Sequence, residues 1–534
     1  MGGLLRRARG PVNPAALAQV VPDRGEVVVL IDQQDDELIR ALEQRLRSAS
    51  FRAVTAADAL DILPTISRPA AIIDATTGGD RVGLMRSTVW ALPDGAPYVA
   101  VSPSRSWAAG VERAIAPRDG EGPGAARRRQ ELADSVEIDS SDRGFGVIHK
   151  RGTHHVTLRH EGVEDVLAER FSEDWGEVIT CREAYDYESG ATLVMHGEPA
   201  PRDKQTTIAV PALSVRRYRD VTCHIREIAV RDNLVLPDSF RHWQTPRLFH
   251  KRIVPATAQF GRLEDRMQQA DVRREPGEFF SFDSAFPTHY GHLATETLSK
   301  FWGWQIARAE NPDLRVVMTH QPKKDRLPSW KAQILGALGI PLDDVLWVEQ
   351  GQAVTVDSLV AAMPQLENPH YVDRGLVDTW QALYAGLGPD PSARDRPDKI
   401  FVTRRSRTQR WCTNTPEVEA FMVEQGFTIL DPEVLPYAEQ AHTFRAARVI
   451  AGFAGSGLFN MMVNPAARIV VLSSRSYVAA NEYLFASAAG QEIHYFWSAP
   501  QVDQPGQGFS VDAYRSDFEF TLDEHRAELI EALA

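Results

Sequence analysis

Three side chains suited to acid–base chemistry recur every four residues within "FDSAFPTHYGHLATETLSKFWGW". Residues four apart share one face of a helix, so this spacing predicts a helix that aligns His292, Glu296 and Lys300. A histidine near a carboxylate can take a proton from a hydroxyl group. We interpret His292, near Asp283 and His289 in the sequence, as a candidate general base. A purely structural His–Glu pair is the alternative.

A basic loop, "VTRRSRTQRW" (402–411), follows a predicted strand in an otherwise acidic chain. A guanidinium group pairs with two phosphate oxygens at once, which suits a diphosphate ligand. The loop therefore predicts a phosphate site, and a solvated basic loop is the alternative. Its arginines are Arg404, Arg405, Arg407 and Arg410.

The stretch "VIAGFAGSGLFN" (449–460) runs from an apolar strand into a glycine-rich turn. Gly455 and Gly457 let backbone N–H groups approach a ligand, and Ser456 adds a hydroxyl donor. A helix that starts here would present its N-terminus to an anion. The pattern predicts a phosphate cradle. A tight turn between packed elements is the alternative.

The segment "PYAEQAHTFRAA" (436–447) is predicted to be a helix, and polar side chains open it. A carboxylate in the first helical turn is favoured by the helix dipole, so Glu439 has a purely structural interpretation. The other interpretation is that Glu439 hydrogen-bonds ribose hydroxyls of a nucleotide.

These four segments lie among alternating strand and helix patterns after residue 275, which predicts parallel α/β architecture. A polar break near 385–398 divides the region into two halves with a cleft between them. Ligands of such sheets bind at the carboxyl ends of the strands. The predicted strands are 314–319, 344–349, 357–362, 399–404, 427–430, 448–452 and 468–473.

The N-terminal region predicts a separate small α/β unit of flavodoxin- or receiver-like type, with strands at 26–32, 70–76 and 97–104. Acidic residues stand at the strand ends, but the lysine expected after a fifth strand is not evident, so helix capping is favoured over phosphate acceptance. A linker is predicted at 116–134, which is rich in Gly, Pro and charge. The acidic residues are Asp32, Asp35 and Asp74.

Between 136 and 256, short β-branched runs broken by turn residues predict a β-rich segment. A histidine cluster lies in it. His154 and His155 are adjacent and would point to opposite faces of a strand, which disfavours a shared metal and favours a polar strand edge. The cluster consists of His149, His154, His155 and His160.

Composition excludes several classes of protein. A formal charge of −13 over 534 residues argues against nucleic acid or an anionic membrane as the main partner. No apolar run approaches the roughly 20 residues that a membrane helix needs. Three dispersed cysteines fit neither a disulfide framework nor a zinc site, which favours the cytoplasm. Peripheral attachment to the inner face of the membrane and homo-oligomerisation stay open.

Taken together, these segments resemble the family 61 glycosyltransferases over roughly residues 210–500. The resemblance rests on "HYGHLATETLSKFW" and on the ordered motifs from "FVTRRSRTQRW" to "GFAGSGLFN". Three features depart from the family pattern: Ala454 stands where relatives carry histidine, Ser456 stands where they carry alanine, and the Asn-Glu pair is "NTPE" here, with Asn414 kept and the acid displaced. The matching positions are Arg404, Arg407, Glu433, Glu439, Gln440, Phe444, Gly455, Gly457, Leu458 and Asn460.

The resemblance implies a GT-B-like pair of Rossmann-like halves that binds a nucleotide-sugar donor, with a glycan or lipid-linked glycan as acceptor. It implies inverting transfer without a metal or other cofactor, in bacterial surface or capsular polysaccharide synthesis. His292, with Glu296 or Asp283, would serve as base. The implied donor-binding residues are Arg404, Arg407, Glu433, Glu439, Gln440, Gly455, Ser456, Gly457 and Asn460.

Four regions follow from the residues and the resemblance together. Residues 1–130 are predicted to form an accessory α/β domain with its linker, and 131–270 a β-rich segment. Residues 271–390 would form the acceptor half and 391–534 the donor half. Two other functions compete with transfer: a catalytically silent assembly or regulatory protein, and a metal-dependent hydrolase that uses the histidines.

Overall fold

The chain folds as a mixed α/β protein with two compact units, which confirms the predicted α/β class. The first unit comprises Met1–Trp175 and Ile228–Asp271, and the second Gly176–Glu227 and Val272–Ala534. This computed structural model describes residues 13–32, 36–101, 105–139, 145–197, 204–320, 328–392, 395–405 and 409–534.

The first unit is built on a six-stranded sheet in which four strands pair in parallel and the last two are added through antiparallel pairings. Val27–Leu30 are fully buried, as expected where helices cover both faces of a parallel sheet. In spatial order the strands are Ala49–Thr55, Gly25–Ile31, Ala71–Asp74, Pro97–Val101, Phe145–Lys150 and Val136–Asp139. Five further strands are His155–Thr157, Ala229–Arg231, Leu234–Val235, Ile253–Pro255 and Phe260–Leu263.

The helices of the first unit include one that the sequence did not predict. The predicted linker at 116–134 is wrong over most of its length, because Pro123–Ser135 is a helix that buries Glu131 and Leu132. Proline is favoured in a first helical turn, and helix-forming residues follow it. The α-helices are Pro14–Leu17, Asp36–Glu43, Ala59–Ile62, Arg81–Thr88, Arg105–Ile115, Pro123–Ser135, Val163–Phe171 and Asp265–Gln268.

The acidic residues at the strand ends have structural partners. Asp74 is fully buried, and its carboxylate accepts from Arg81 Nε at 3.0 Å. Asp32 accepts from the backbone N–H of Thr77 at 2.6 Å. Asp35 lies outside the described residues. These contacts fit the predicted preference for structural roles over phosphate acceptance.

The prediction of a polar strand edge for the histidine cluster is wrong, because His154, His155 and His160 are all buried. His154 Nε2 lies 3.1 Å from Glu131 Oε1, and its ring packs 4.7 Å from that of Trp90. Burial lowers the pKa of His154 to about 4. His154 is therefore neutral at pH 7 in the folded protein.

We expect His154 to make the first unit sensitive to mild acid. Because its folded pKa is lowered, the unfolded chain takes up a proton below pH 6.5 while the folded protein does not, and stability falls toward pH 4. Between pH 7.5 and 5.0 this amounts to about 2 kcal/mol. Urea unfolding measures this: between pH 7.5 and 5.0 the free energy of unfolding of His154→Gln should rise by that amount relative to that of the wild type. His149→Gln, in the strand Phe145–Lys150 just upstream, is the control, and an equal difference there would contradict the assignment.

The C-terminal part of the second unit is a six-stranded parallel sheet. One edge strand comes from far upstream. In spatial order the strands are Thr192–Gly197, Glu492–Ser498, Arg468–Ser474, Val449–Phe453, Lys399–Val402 and Thr428–Leu430. Its helices are Thr415–Glu424, Tyr437–Ala446, Asn481–Ala489, Val511–Arg515 and Leu522–Leu533, and Ser456–Val463 is a 3₁₀ segment.

The other part of the second unit contains a mixed sheet in which the last three strands are parallel. Its strands are Gly176–Arg182, Leu213–His224, Gln352–Ala362, Asp271–Ser281, Arg315–His320 and Val345–Glu349. Two ribbons pair Tyr185–Glu188 with Thr207–Val210 and Leu366–Glu367 with Tyr371–Val372. The helices are Tyr290–His292, Phe301–Glu310, Ser329–Ala337 and Leu376–Gly386.

Among the residues that the structure describes, no helix combines the length and the apolar character needed to cross a bilayer. Among the same residues, no three His, Cys, Asp or Glu side chains form a group that could hold a metal ion.

Candidate functional site

A cavity of about 370 Å³ lies in the second unit where three parallel strands end. The strands Lys399–Val402, Thr428–Leu430 and Val449–Phe453 each lead into loops that line it. Carboxyl ends of parallel strands are where such sheets bind ligands. The ends of these strands and the loops after them contribute Val402, Thr403, Arg404, Pro432, Glu433, Leu435, Phe453, Ser456 and Gly457. The rest of the lining is Thr288, His289, Tyr290, Ser329, Trp330, Tyr437 and Gln440.

The glycine loop approaches Arg404 so closely that a side chain at position 455 would displace its guanidinium. Gly455 has φ of +127°, and a Cβ there would lie 2.6 Å from Arg404 Nη2. Its N–H donates to Glu482 Oε1 at 2.6 Å. Ser456 and Gly457 then begin the 3₁₀ segment. Their N–H groups therefore have no carbonyl acceptor within that segment. Both residues line the cavity, as expected for a backbone cradle.

Arg404 lines the cavity, but its guanidinium also holds two loops together. Nη2 donates to the carbonyl of Ala454 at 2.6 Å, and Nη1 donates to that of Arg410 at 3.1 Å. Burial, with the nearby Arg410 cation, lowers the pKa of Arg404 to about 10, so it remains protonated at neutral pH. Its positive charge faces the cavity while its N–H groups fix the glycine loop.

Glu482 is a residue of the site that sequence reasoning missed. It is fully buried in the helix Asn481–Ala489 and accepts from the Gly455 N–H and from the Tyr477 hydroxyl at 3.1 Å. Burial raises its pKa. An acidic residue in a helix that follows the motif by more than twenty positions gives no local signal of this role.

Asn460 and Gln440, of which Gln440 lines the cavity, hold the surrounding segments together. Asn460 is fully buried; its Oδ1 accepts from the Tyr290 hydroxyl at 2.7 Å, and its Nδ2 donates to Gln440 Oε1 at 3.3 Å. Gln440 Nε2 donates to the carbonyls of Pro432 and Leu435 at 2.7 and 2.9 Å. These bonds connect the segment around Tyr290 to two loops of the parallel sheet.

The predicted helix after residue 289 exists, but it is irregular. Tyr290–His292 is α-helical, Leu293–Thr297 makes a π-helical turn, and Leu298–Lys300 is 3₁₀. Turns of this kind are frequent at functional sites. Lys300 is buried and its Nζ donates to Glu227 Oε2 at 3.0 Å; burial raises the pKa of Glu227 to about 8.

His292 is paired with Glu296. Its Nδ1 lies 2.6 Å from Glu296 Oε1, and the Phe286 ring stacks on the imidazole at 4.1 Å. Because a carboxylate only accepts, Nδ1 carries the proton and Nε2 keeps the lone pair of a base. The side chain is 21% exposed, and its ring lies 4.9 Å from that of His289, which lines the cavity.

His289 and Asp283 are arranged differently. His289 Nδ1 accepts from the Gly291 N–H at 3.1 Å, so the proton of its neutral form is on Nε2, and its lone pair is engaged. Asp283 Oδ2 accepts from the N–H groups of Glu227 and Thr319, both at 3.1 Å. The structure thus pairs Glu296, and not Asp283, with His292.

The remaining predicted residues divide into three groups. Glu433 lines the cavity, with an exposed side chain. Glu439 pairs with Arg396 at 3.1 Å and is absent from the lining, which matches its structural interpretation. Arg405 pairs with Glu419 at 2.8 Å. Arg407 lies outside the described residues.

Part of the second unit matches a known protein family. The family model described as Glycosyltransferase 61 matches residues 290–471. The chain carries a glycosyltransferase 61 domain. The matched range contains His292, Glu296 and the glycine loop, whereas Asp283 and Glu482 lie outside it. No curated protein matches the chain.

Proposed function

We propose that the glycosyltransferase 61 domain transfers a sugar from a nucleotide-sugar donor to a hydroxyl group of a glycan acceptor, with inversion and without a metal. The supporting observation is the cavity of about 370 Å³, to which three parallel strands deliver the glycine loop, Arg404 and Glu433. Its size lies within the range of small-molecule sites.

The donor diphosphate is assigned to the glycine loop. The N–H groups of Ser456 and Gly457 and the Ser456 hydroxyl supply donors, and the partly buried Arg404 cation supplies positive charge. Preorganised donors of this kind stabilise the charge that develops on a departing diphosphate. Trp330 and Tyr290, whose ring centroids lie 5.6 Å apart, provide aromatic surface for the rest of the donor.

His292 is assigned the role of base. The acceptor oxygen forms a bond to the anomeric carbon, the bond from that carbon to the diphosphate oxygen breaks, and the hydroxyl proton passes to Nε2 of His292. Glu296 keeps the proton on Nδ1 and stabilises the imidazolium that results. A single displacement inverts the anomeric centre.

The wider assignment follows the family resemblance. It comprises a GT-B-like pair of halves within the second unit and an acceptor, free or lipid-linked, from bacterial surface or capsular polysaccharide. The alternative is a catalytically silent protein of assembly or regulation. Ala454, in place of the histidine of relatives, and the use of Arg404 donors by backbone carbonyls favour that alternative.

Thermal shifts with nucleotides test the proposal. Purified protein is offered UDP-, GDP-, CDP- and CMP-sugars and the matching free nucleotides, with and without EDTA. We expect at least one to raise Tm, and Arg404→Ala to abolish the shift because the glycine loop loses its anchor. Arg405→Ala, which removes the neighbouring cation paired with Glu419, should keep it.

Absence of a shift with every nucleotide would contradict the transferase proposal. Loss of the shift in EDTA would show that the metal-independent part is wrong. Binding without turnover, over a broad acceptor panel, would favour the silent alternative.

A further inference from the structure

The first unit contains a second cavity, of about 480 Å³, surrounded by arginines and aromatic rings. It lies wholly outside residues 290–471 and is distinct from the proposed donor cavity. Its size would admit a nucleotide-sized ligand. The residues that give it its character are Arg86, Arg128, Arg129, Arg247, Trp90 and Phe249.

The charge around this cavity is positive, against a net charge of −13 for the chain. Arg129 is neutralised by Glu121 at 2.8 Å. Arg86, Arg128 and Arg247 form no ion pair with any residue that the structure describes, and none of the described Asp or Glu residues lines the cavity. Three cations around one space repel one another, and an anion between them would remove that repulsion.

The arginines are presented by ordered elements. Arg86 stands in the helix Arg81–Thr88, and its carbonyl accepts from Trp90 Nε1 at 2.6 Å. Arg128 stands in the helix Pro123–Ser135. The segment that carries Arg247 is fixed by Arg159, whose guanidinium donates to the carbonyls at 243, 245 and 246 at 3.2, 3.0 and 2.7 Å. Little ordering would therefore be needed on binding.

One wall of the cavity is apolar. Phe249 is 66% exposed, and Leu248 and Pro255 stand beside it in the lining. Burying an exposed aromatic ring against a ligand is favourable by about 25 cal/mol for each Å² removed from water. A bare inorganic anion would leave this wall in contact with water. The site therefore matches a ligand that has an anionic head and an apolar or planar body.

We propose that this cavity binds an organic phosphate. The phosphate or diphosphate lies among Arg86, Arg128 and Arg247, and its ring or hydrocarbon group packs on Phe249. The body of such a ligand comes either from a nucleotide or from a prenyl chain. The two sources share the head-group chemistry and differ in what touches Phe249.

Calorimetric titration of the full chain tests this site. Geranyl diphosphate is compared with pyrophosphate, and UMP with inorganic phosphate. We expect Arg86→Ala/Arg247→Ala to weaken pyrophosphate binding at least tenfold. One of the two organic ligands should bind at least fivefold more tightly than its head group, and Phe249→Ala should remove that gain. The ligand that shows the gain identifies the source.

Two control variants show whether the binding occurs at this cavity. Arg24→Ala, which removes an exposed arginine elsewhere in the first unit, should leave every affinity unchanged. Arg404→Ala separates this site from the donor cavity. Ligand binding that survives Arg404→Ala but is lost in the double variant Arg86→Ala/Arg247→Ala belongs to the first unit. Binding lost in Arg404→Ala but kept in the double variant would overturn the proposal. So would pyrophosphate binding with no gain for either organic ligand, or no binding at all.

Discussion

Replacing His292 with alanine should lower kcat by about 10²–10⁴-fold, the usual contribution of a general base, and leave nucleotide affinity within about twofold of the wild type. The loss corresponds to about 3–5 kcal/mol of activation free energy. Affinity is spared because the ring of His292 is not part of the cavity lining, whereas the residues assigned to the donor are. Transfer rates with the nucleotide-sugar found by thermal shift, beside calorimetric Kd values, measure the two effects separately.

Glu296→Gln tests the orientation of the ring without removing it. A glutamine side chain can donate to Nδ1, which favours the proton on Nε2 and removes the lone pair that the acceptor hydroxyl needs. We expect kcat to fall at least tenfold. His320→Ala is the matched control, because His320 is also near a carboxylate, with Nδ1 3.5 Å from Glu349 Oε1. Equal losses in His292→Ala and His320→Ala would refute the assignment, as would a weakened Kd that accounts for the whole loss.

Several strands of the two six-stranded sheets, such as Val449–Phe453 and Arg468–Ser474, were predictable because they are short apolar runs. The strands Ala49–Thr55 and Glu492–Ser498 were not predicted. The edge strand Thr192–Gly197 was not assigned to the C-terminal sheet, since Thr192 pairs with Glu492, three hundred positions later. Local patterns contain no information on such pairings. The helix Pro123–Ser135 was missed because its flanking Gly and Pro residues, typical of linkers, are equally typical of helix starts.

The candidate site was predictable where a motif places backbone beside a strand end, as at Gly455, Ser456 and Gly457. It was less predictable for charged side chains, because their partners are remote in sequence. Glu439 is engaged by Arg396, and Arg404 by the Ala454 carbonyl. Sequence indicates which residues bear charge; the fold decides whether that charge faces a ligand or a neighbour.

Gly455→Ala should cause the second large effect, a loss of nucleotide affinity of about 100-fold. The backbone at Gly455, with φ +127° and ψ −168°, lies in a region that is essentially restricted to glycine and costs other residues about 1–3 kcal/mol. The new Cβ would also meet Arg404 Nη2 at 2.6 Å, and would displace the cation that holds Ala454. The backbone strain and the displacement of Arg404 together are expected to reduce the free energy of nucleotide binding by about 3 kcal/mol, which raises Kd about 100-fold.

Gly457→Ala is the control for this substitution, since it adds the same methyl group to the same loop two residues later. Its φ lies outside the left-handed region, and the nearest atom to its Cβ would be Val402 Cγ1 at 3.3 Å, which a small shift relieves. We expect its nucleotide affinity to stay within about threefold of the wild type, and circular dichroism and Tm to show both variants folded. If the two substitutions weaken binding equally, the loop binds through the space at Gly457 and not through the geometry that Gly455 and Arg404 impose. If neither does, the phosphate cradle lies elsewhere.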